Sequence, residues 1–229
     1  MMDKCLAVVI PAYNEERTII EVIRGLKQHG FVTLIVVDDG SSDRTGELAG
    51  QQGVILLTHI LNRGLGGALG TGINAALRLG AEAIVTFDAD GQHDPDDIAR
   101  LLEPIAKGEA DVVIGSRMLD STGMPYPRRL ANWTANVVTY LLFRGWTTDS
   151  QSGLRAFSSE AAARMQIMTS GMEVSSEIIA ETVRNRLKWK EVPVKAIYTE
   201  YSLSKGQSFT VGLGTLMKLI LARVQRSML

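Results

Sequence analysis

Two carboxylates two residues apart, Asp88 and Asp90, with Gln92 a further two along, follow an apolar run in AIVTFDADGQHDP. In an extended chain residues i and i+2 project to one side, so three oxygen donors point together. Two like charges at the end of a dry strand are costly unless a cation neutralises them. Oxygen-only ligands suit Mg or Mn, which keep positions open for substrate phosphates. A solvated turn is the competing reading, and the buried run before it favours the cation. His93 reads as a turn residue or a support for the ligands, and Asp94 as a helix cap.

A second pair, Asp38 and Asp39, closes another apolar run and can accept from a nucleobase N–H or a ribose hydroxyl. Gly40, Ser41 and Ser42 supply a tight turn there, and Asp43 caps the helix that follows. A third polar stretch, Pro11-Ala12-Tyr13-Asn14-Glu15, sets an aromatic ring and a carboxylate at a helix N-terminus. The glycine-rich segment from Asn62 to Ala68 lacks the Lys-Ser/Thr of a P-loop. Its Gly66 and Gly67, with Gly70 and Gly72 beyond, read as tight helix-to-sheet packing, and Arg63 as an anion contact.

The elements that must position these residues are short and regular. Five apolar runs, at 6–10, 33–37, 54–58, 83–87 and 111–115, lack period-2 alternation, as strands covered on both faces do. Between them lie helical patterns. Ile19, Val22, Ile23 and Leu26 follow Asn14 as N-cap, and Leu69, Ile73, Ala76 and Leu77 end at Gly80. Asp94 and Pro95 open a helix to about Lys107. This alternation predicts an α/β chain with an open, mainly parallel sheet and right-handed crossovers. Ligands of such sheets bind outside the carboxyl ends of the strands, where all three polar stretches fall.

Beyond Gly115 an amphipathic helix is expected over 129–143, with Leu130, Trp133, Val137, Leu141 and Leu142 on one side. A loop at 145–153, helices near 159–166 and 173–186, and a strand in EVPVKAIYTEY follow, Pro193 marking that strand as an edge. Glu173, Glu177 and Glu181, spaced by four, look like a plain solvent face. One catalytic domain over 1–212 and a C-terminal amphipathic helix over 213–229 complete the expected organisation.

The 229 residues, 45% of them apolar and 21% charged, can bury a core. Twenty-four Lys and Arg against 25 Asp and Glu leave no basic field to hold nucleic acid. The one cysteine, Cys5, suits a reducing cytoplasm. No 18-residue apolar stretch exists to span a bilayer, so the chain is expected to be soluble or to lie on a membrane. Residues 201–229 carry Lys205, Lys218, Arg223 and Arg226 and no acid, which suits an anionic partner.

Taken in order, VVIPAYNEERTI, VVDDGSSDRT, NRGLGGALGTGI, DADGQHDP, IGSR, RRLANWTAN and DSQSGLRAF resemble the motifs of family 2 glycosyltransferases with the GT-A (nucleotide-diphospho-sugar transferase) fold. The motifs are similar in particular to those of dolichyl- and polyprenyl-phosphate sugar synthases. The resemblance implies transfer of a sugar, with inversion, from a nucleotide-sugar donor (GDP-mannose or a UDP-sugar) to a polyprenyl phosphate, with Mg or Mn. It implies that Pro11, Tyr13, Glu15 and Asp39 line the nucleotide pocket and that Asp88, Asp90 and Gln92 hold the metal on the diphosphate. Arg117 and Arg128, with Asn132 one turn on, would grip the acceptor phosphate, because guanidinium forks match phosphate. Asp149 is the usual base of such enzymes. A phosphate nucleophile is already ionised, so Asp149 is expected to orient its loop and Arg155 instead. A saccharide hydroxyl acceptor with Asp149 as base is the alternative. Lys205 is expected at the donor phosphates, Glu177 enters only through the resemblance, and the chain is placed peripherally on the cytoplasmic face of a membrane.

Overall fold

The computed structural model describes residues 6–122 and 124–197. Cys5, Lys205 and the helix expected over 213–229 lie outside them.

All five expected strands form: β1 (Leu6–Ala12), β2 (Thr33–Asp38), β3 (Ile55–Thr58), β4 (Ala83–Thr86) and β5 (Val112–Ser116). Two more, β6 (Arg155–Ser158) and β7 (Trp189–Pro193), complete a seven-stranded sheet of order β3-β2-β1-β4-β6-β5-β7. Every pairing is parallel except those of β6, which runs antiparallel to both neighbours, with Ala156 opposite Val85 and Val113. The sequence reading had no strand there, because four residues entered from a polar loop carry no periodic signal. β7 is the edge that Pro193 marks. β3 is the other edge and is half exposed, not covered on both faces as expected.

The dry strands alternate their side chains between two layers. Val8 and Ile10 pack on the side of α1 (Ile19–Gln28) and α4 (Asp97–Ala106), with Ile23, Leu26 and Leu101. Ala7 and Val9 pack on the opposite side with Leu69 and Ile73 of α3 (Gly64–Arg78) and Ile178 of α7 (Val174–Arg184). Each such Val, Leu or Ile contributes about 1.5–3 kcal/mol by leaving water. A Cβ at Gly72 would stand 2.2 Å from a Val9 methyl carbon, so the helix-packing reading of that glycine holds. α2 (Thr45–Gly50) is held at its start by Asp43, whose Oδ1 accepts from the Thr45 N–H at 2.9 Å. α6 (Ser159–Arg164) is capped by Ser158, whose hydroxyl accepts from the Ala161 N–H.

Two helix starts differ from expectation. α1 begins at Ile19, and Asn14 is not its cap: it adopts φ 55° and its side-chain oxygen accepts from the Ser42 N–H at 2.9 Å. Asn tolerates this left-handed turn because its short polar side chain bonds locally. Asp94 likewise accepts from the Asp96 N–H within the turn ahead of α4, which starts at Asp97.

The largest correction concerns α5 (Tyr126–Phe143). The stripe expected on one side is split, with Leu130, Trp133 and Leu141 exposed at 52%, 54% and 64% while Val137 and Leu142 are half buried. The buried side is Asn136, Thr139 and Phe143. Periodicity identifies a helix face and not what covers it.

Candidate active site

The carboxyl ends of β1, β2 and β4 open onto one cleft. Pro11, Tyr13 and Glu15 enter it from β1, Asp39 from β2, Gly64 and Leu65 from the start of α3, and Asp88 and Asp90 from β4. Gly171 and Met172, ahead of α7, close the far wall. Asp38 does not line it. Its carboxylate accepts from the Ser41 N–H at 3.1 Å and abuts Gly46, so it builds the turn that the expected binding pair shares.

The Asp88–Asp90 turn is fastened from both sides. The Thr18 hydroxyl donates to the Ala89 carbonyl at 2.7 Å, and the Thr86 hydroxyl to the Gly153 carbonyl at 2.7 Å. Asp88 Oδ2 lies 3.0 Å from His93 Nε2, which makes His93 the support expected of it. Burial alone would raise the Asp88 carboxyl. The His93 hydrogen bond and the charges of His93, Arg155 and Arg117 outweigh it and hold Asp88 below the usual carboxylate range. Asp90 moves the other way, pushed up by burial and then by the charge of Asp88. Arg155 is fully buried under the pair, its Nη2 donating to the Ser150 carbonyl at 2.9 Å, and burial lowers its guanidinium to about 10.

The three expected oxygen donors are adjacent but do not converge. Asp90 accepts from the Gln92 backbone N–H at 3.0 Å and from the Gln92 side-chain amide. The other end of that amide, Oε1, approaches Arg128 Nη1 to 3.5 Å. The like charges divide between different donors, Asp88 on His93 and Asp90 on Gln92, which is the local answer to their repulsion. Among the described residues no group of three His, Cys, Asp or Glu side chains forms a metal cluster. A pair of carboxylates, one raised by the other's charge, nevertheless fits a hard divalent cation that completes its shell with an amide oxygen and ligand phosphates.

Across the pair lie the arginines. Arg117 donates to Asp149 through Nε at 2.7 Å, Nη2 at 2.9 Å and its own backbone N–H at 3.0 Å. Asp149 is completely buried, with both oxygens engaged. It therefore orients Arg117, and Arg155, its expected partner, is held by Ser150 instead. Arg128 reaches Gln92 from the first turn of α5, and Asn132 is half buried one turn on.

Three features escaped the sequence reading. Asn136 holds the Asp149 loop, donating to the Thr148 carbonyl and accepting from the Ser150 N–H at 2.8 Å. The glutamates of α7, read as a solvent face, are all buried. Glu177 accepts from Met168 and Thr169 N–H at 3.0 and 2.9 Å, Glu181 from Gln166 N–H at 3.0 Å and Glu173 from Gly171 N–H at 3.1 Å. They clip down the strand of chain that lines the cleft beside Gly64 and Gly66, and Gly66 N–H donates to the Ser170 carbonyl at 2.8 Å. His59 bonds Asp39, a pairing separated by 20 residues that no local motif announces.

The family description "Glycosyl transferase family 2" matches residues 7–164. An uncharacterized protein of Methanocaldococcus jannaschii is 49% identical over 95% of this chain and 91% of its own length. The UDP-N-acetylglucosamine–dolichyl-phosphate N-acetylglucosaminyltransferase of Methanococcus voltae is 38% identical over 98% of each chain. The polyprenol monophosphomannose synthase of Mycolicibacterium smegmatis is 32% identical over 86% of this chain and 79% of its own. Among solved structures, glucosyl-3-phosphoglycerate synthase of Mycobacterium tuberculosis, in complex with Mn2+, UDP and glucosyl-3-phosphoglycerate, superposes with a TM-score of 0.75 at 21% identity. That match covers 96% of this chain and 80% of the other.

Proposed function

Because the chain belongs to glycosyl transferase family 2 and has the GT-A fold, we propose that it moves a sugar, with inversion, from a nucleotide sugar to the phosphate of a membrane polyprenyl lipid. The observation that carries this reading is the placement of the Asp88–Asp90 pair. On one side of it is the cleft of Tyr13, Glu15 and Asp39; on the other are Arg117 and Arg128. Relatives named for dolichyl and polyprenol phosphate acceptors support the same acceptor class here.

In this reading the exposed Tyr13 ring offers a stacking platform to the nucleobase. Asp88 and Asp90, with Gln92 Oε1, would hold Mg or Mn on the diphosphate. Held there, such a cation would supply positive charge against that developing on the departing nucleoside diphosphate. Arg117, fixed in direction by Asp149, and Arg128 hold the acceptor phosphate, whose ionised oxygen attacks the anomeric carbon from the face opposite the leaving group. No proton must be removed. The engagement of both Asp149 oxygens by Arg117 argues against the hydroxyl acceptor, since that route needs Asp149 as a free base.

No helix among the described residues is long and apolar enough to cross a membrane. The outward face of α5 supplies a contact of another kind. Tyr126, Leu130, Trp133 and Leu141 are exposed there, and 121–148 holds Arg128, Arg129 and Arg144 without an acid. Aromatic and apolar residues interleaved with arginine suit the interface of an anionic bilayer, the cytoplasmic face in this proposal. We assign the 213–229 segment the same role, and Lys205 the donor phosphates.

Transfer from labelled nucleotide sugars to a short polyprenyl phosphate, against the matching polyprenol, tests the reading. Product from the phosphate alone, abolished by EDTA, is expected; product from the polyprenol alone would overturn it. Arg128→Lys keeps the charge and loses the fork, so the acceptor KM should rise while donor binding is unchanged.

A further inference from the structure

Asp39 sits at the inner wall of the cleft with most of its accepting capacity already used. Its Oδ1 accepts from His59 Nδ1 at 2.6 Å and from the Arg63 backbone N–H at 2.9 Å. Its Oδ2 accepts from the Gly64 N–H at 2.7 Å. A carboxylate offers about four lone-pair positions, two on each oxygen, so a ligand finds one, on Oδ2. His59 is itself fixed, its Nε2 lying 3.0 Å from the Thr71 hydroxyl of α3. A carboxylate can only accept, which makes Nδ1 a protonated ring nitrogen that donates to Asp39. Beside this lone pair stands Asn62, whose Oδ1 takes the Gly64 N–H at 3.0 Å and whose NH2 is a donor at the cleft.

We infer that His59, by occupying Asp39 Oδ1, makes this site selective for a uridine diphosphate donor over a guanosine diphosphate donor. Uracil presents one N–H between two carbonyls, which one accepting lone pair flanked by an amide donor satisfies. Guanine presents two adjacent donors, N1–H and N2–H, aligned for both oxygens of a free carboxylate, and here the second would be left unpaired. A buried donor without a partner is what makes such sites discriminate. His59 is thus a positioning residue, acting on the base through Asp39. The inference rests on the proposed nucleotide-sugar reading and narrows it.

The test is calorimetric binding of UDP, GDP and ADP to the purified full chain with MnCl2, with no acceptor. The wild type should bind UDP at least tenfold more tightly than GDP. His59→Phe removes the donor to Oδ1 and should shrink the UDP-to-GDP ratio severalfold, whereas a merely structural loss weakens both nucleotides alike. His59→Gln, which keeps an N–H donor, should restore the ratio. Should the Phe variant not fold, the wild-type and Gln ratios still decide. GDP binding as tightly as UDP, or a UDP-to-GDP ratio that ignores His59→Phe, overturns the inference and leaves the glycosyltransferase reading standing. Failure of all three nucleotides to bind overturns both.

Discussion

A Cβ at position 153 would stand 1.9 Å from Asp88 Oδ2, backbone pressing on a carboxylate that has His93 behind it. Gly153→Ala should therefore displace Asp88, costing about 1–3 kcal/mol of stability as overpacking does. It should also weaken Mn affinity more than it lowers Tm, which titration and a melting curve compare directly. Asp90 gives the pH dependence. Burial and then the Asp88 charge raise it in the folded chain above its unfolded value. Its contribution to stability is complete below the unfolded value and is lost as pH rises through the raised one. A bound cation reverses that loss, so the rise in Tm on adding Mn should be larger at a pH above the raised Asp90 value than at one below it, with protons released on binding. An identical rise at both pH values would remove Asp90 from the ligand set.

At the scale of elements, α5 and α7 exchange the roles their patterns suggest. Leu130 and Trp133 of α5 face outward, so Leu130→Ser with Trp133→Ser should alter stability by no more than about 0.5 kcal/mol per site, the range of surface substitutions. Burial in a core would cost several times more for either. Co-sedimentation with anionic vesicles should fall in the same variant, and unchanged sedimentation would deny α5 its membrane role. On α7, the acid that looked solvated holds a loop. Glu177→Ala leaves the Met168 and Thr169 N–H groups without their acceptor. Both groups are only partly buried and water can replace part of the loss, so the cost stays below the about 1–3 kcal/mol of a buried unsatisfied group, and a lower Tm with faster proteolysis near residue 168 is expected.

The whole molecule places donor and acceptor groups at one edge of one sheet. Parallel register levels the ends of β1, β2 and β3, with Ala12 opposite Asp38 and Asp38 opposite Thr58. The antiparallel β6 then returns the chain from the Asp149 loop beneath Asp88. Ligands that bridge these strand ends should stabilise the fold as a unit. At a hundredfold excess over Kd, a nucleotide with Mn contributes about 2.7 kcal/mol. That corresponds to roughly 5–11 °C in Tm for a chain of this size. The same nucleotide in EDTA should give a much smaller shift in differential scanning calorimetry.

What the sequence determined by itself is what depends on neighbours along the chain. The dry strands announce themselves by uninterrupted apolar runs, and the loops after them by carboxylates at fixed offsets, so the parallel strands, Asp88, Asp90, Asp39 and Tyr13 are legible, while the antiparallel β6 is not. Asp43 as a cap and Gly72 as a packing glycine were legible for the same reason, since backbone requirements there are local. Tertiary structure alone decided which partner each polar group met. Asp149 pairs with Arg117 across 32 residues, His59 with Asp39 across 20, and Asn136 with the Asp149 loop across 14. A hydrogen bond carries no periodicity, and an amphipathic pattern gives a direction without its occupant. For that reason the buried glutamates of α7 and the exposed tryptophan of α5 were readable only once the helices had been laid against, or away from, the sheet.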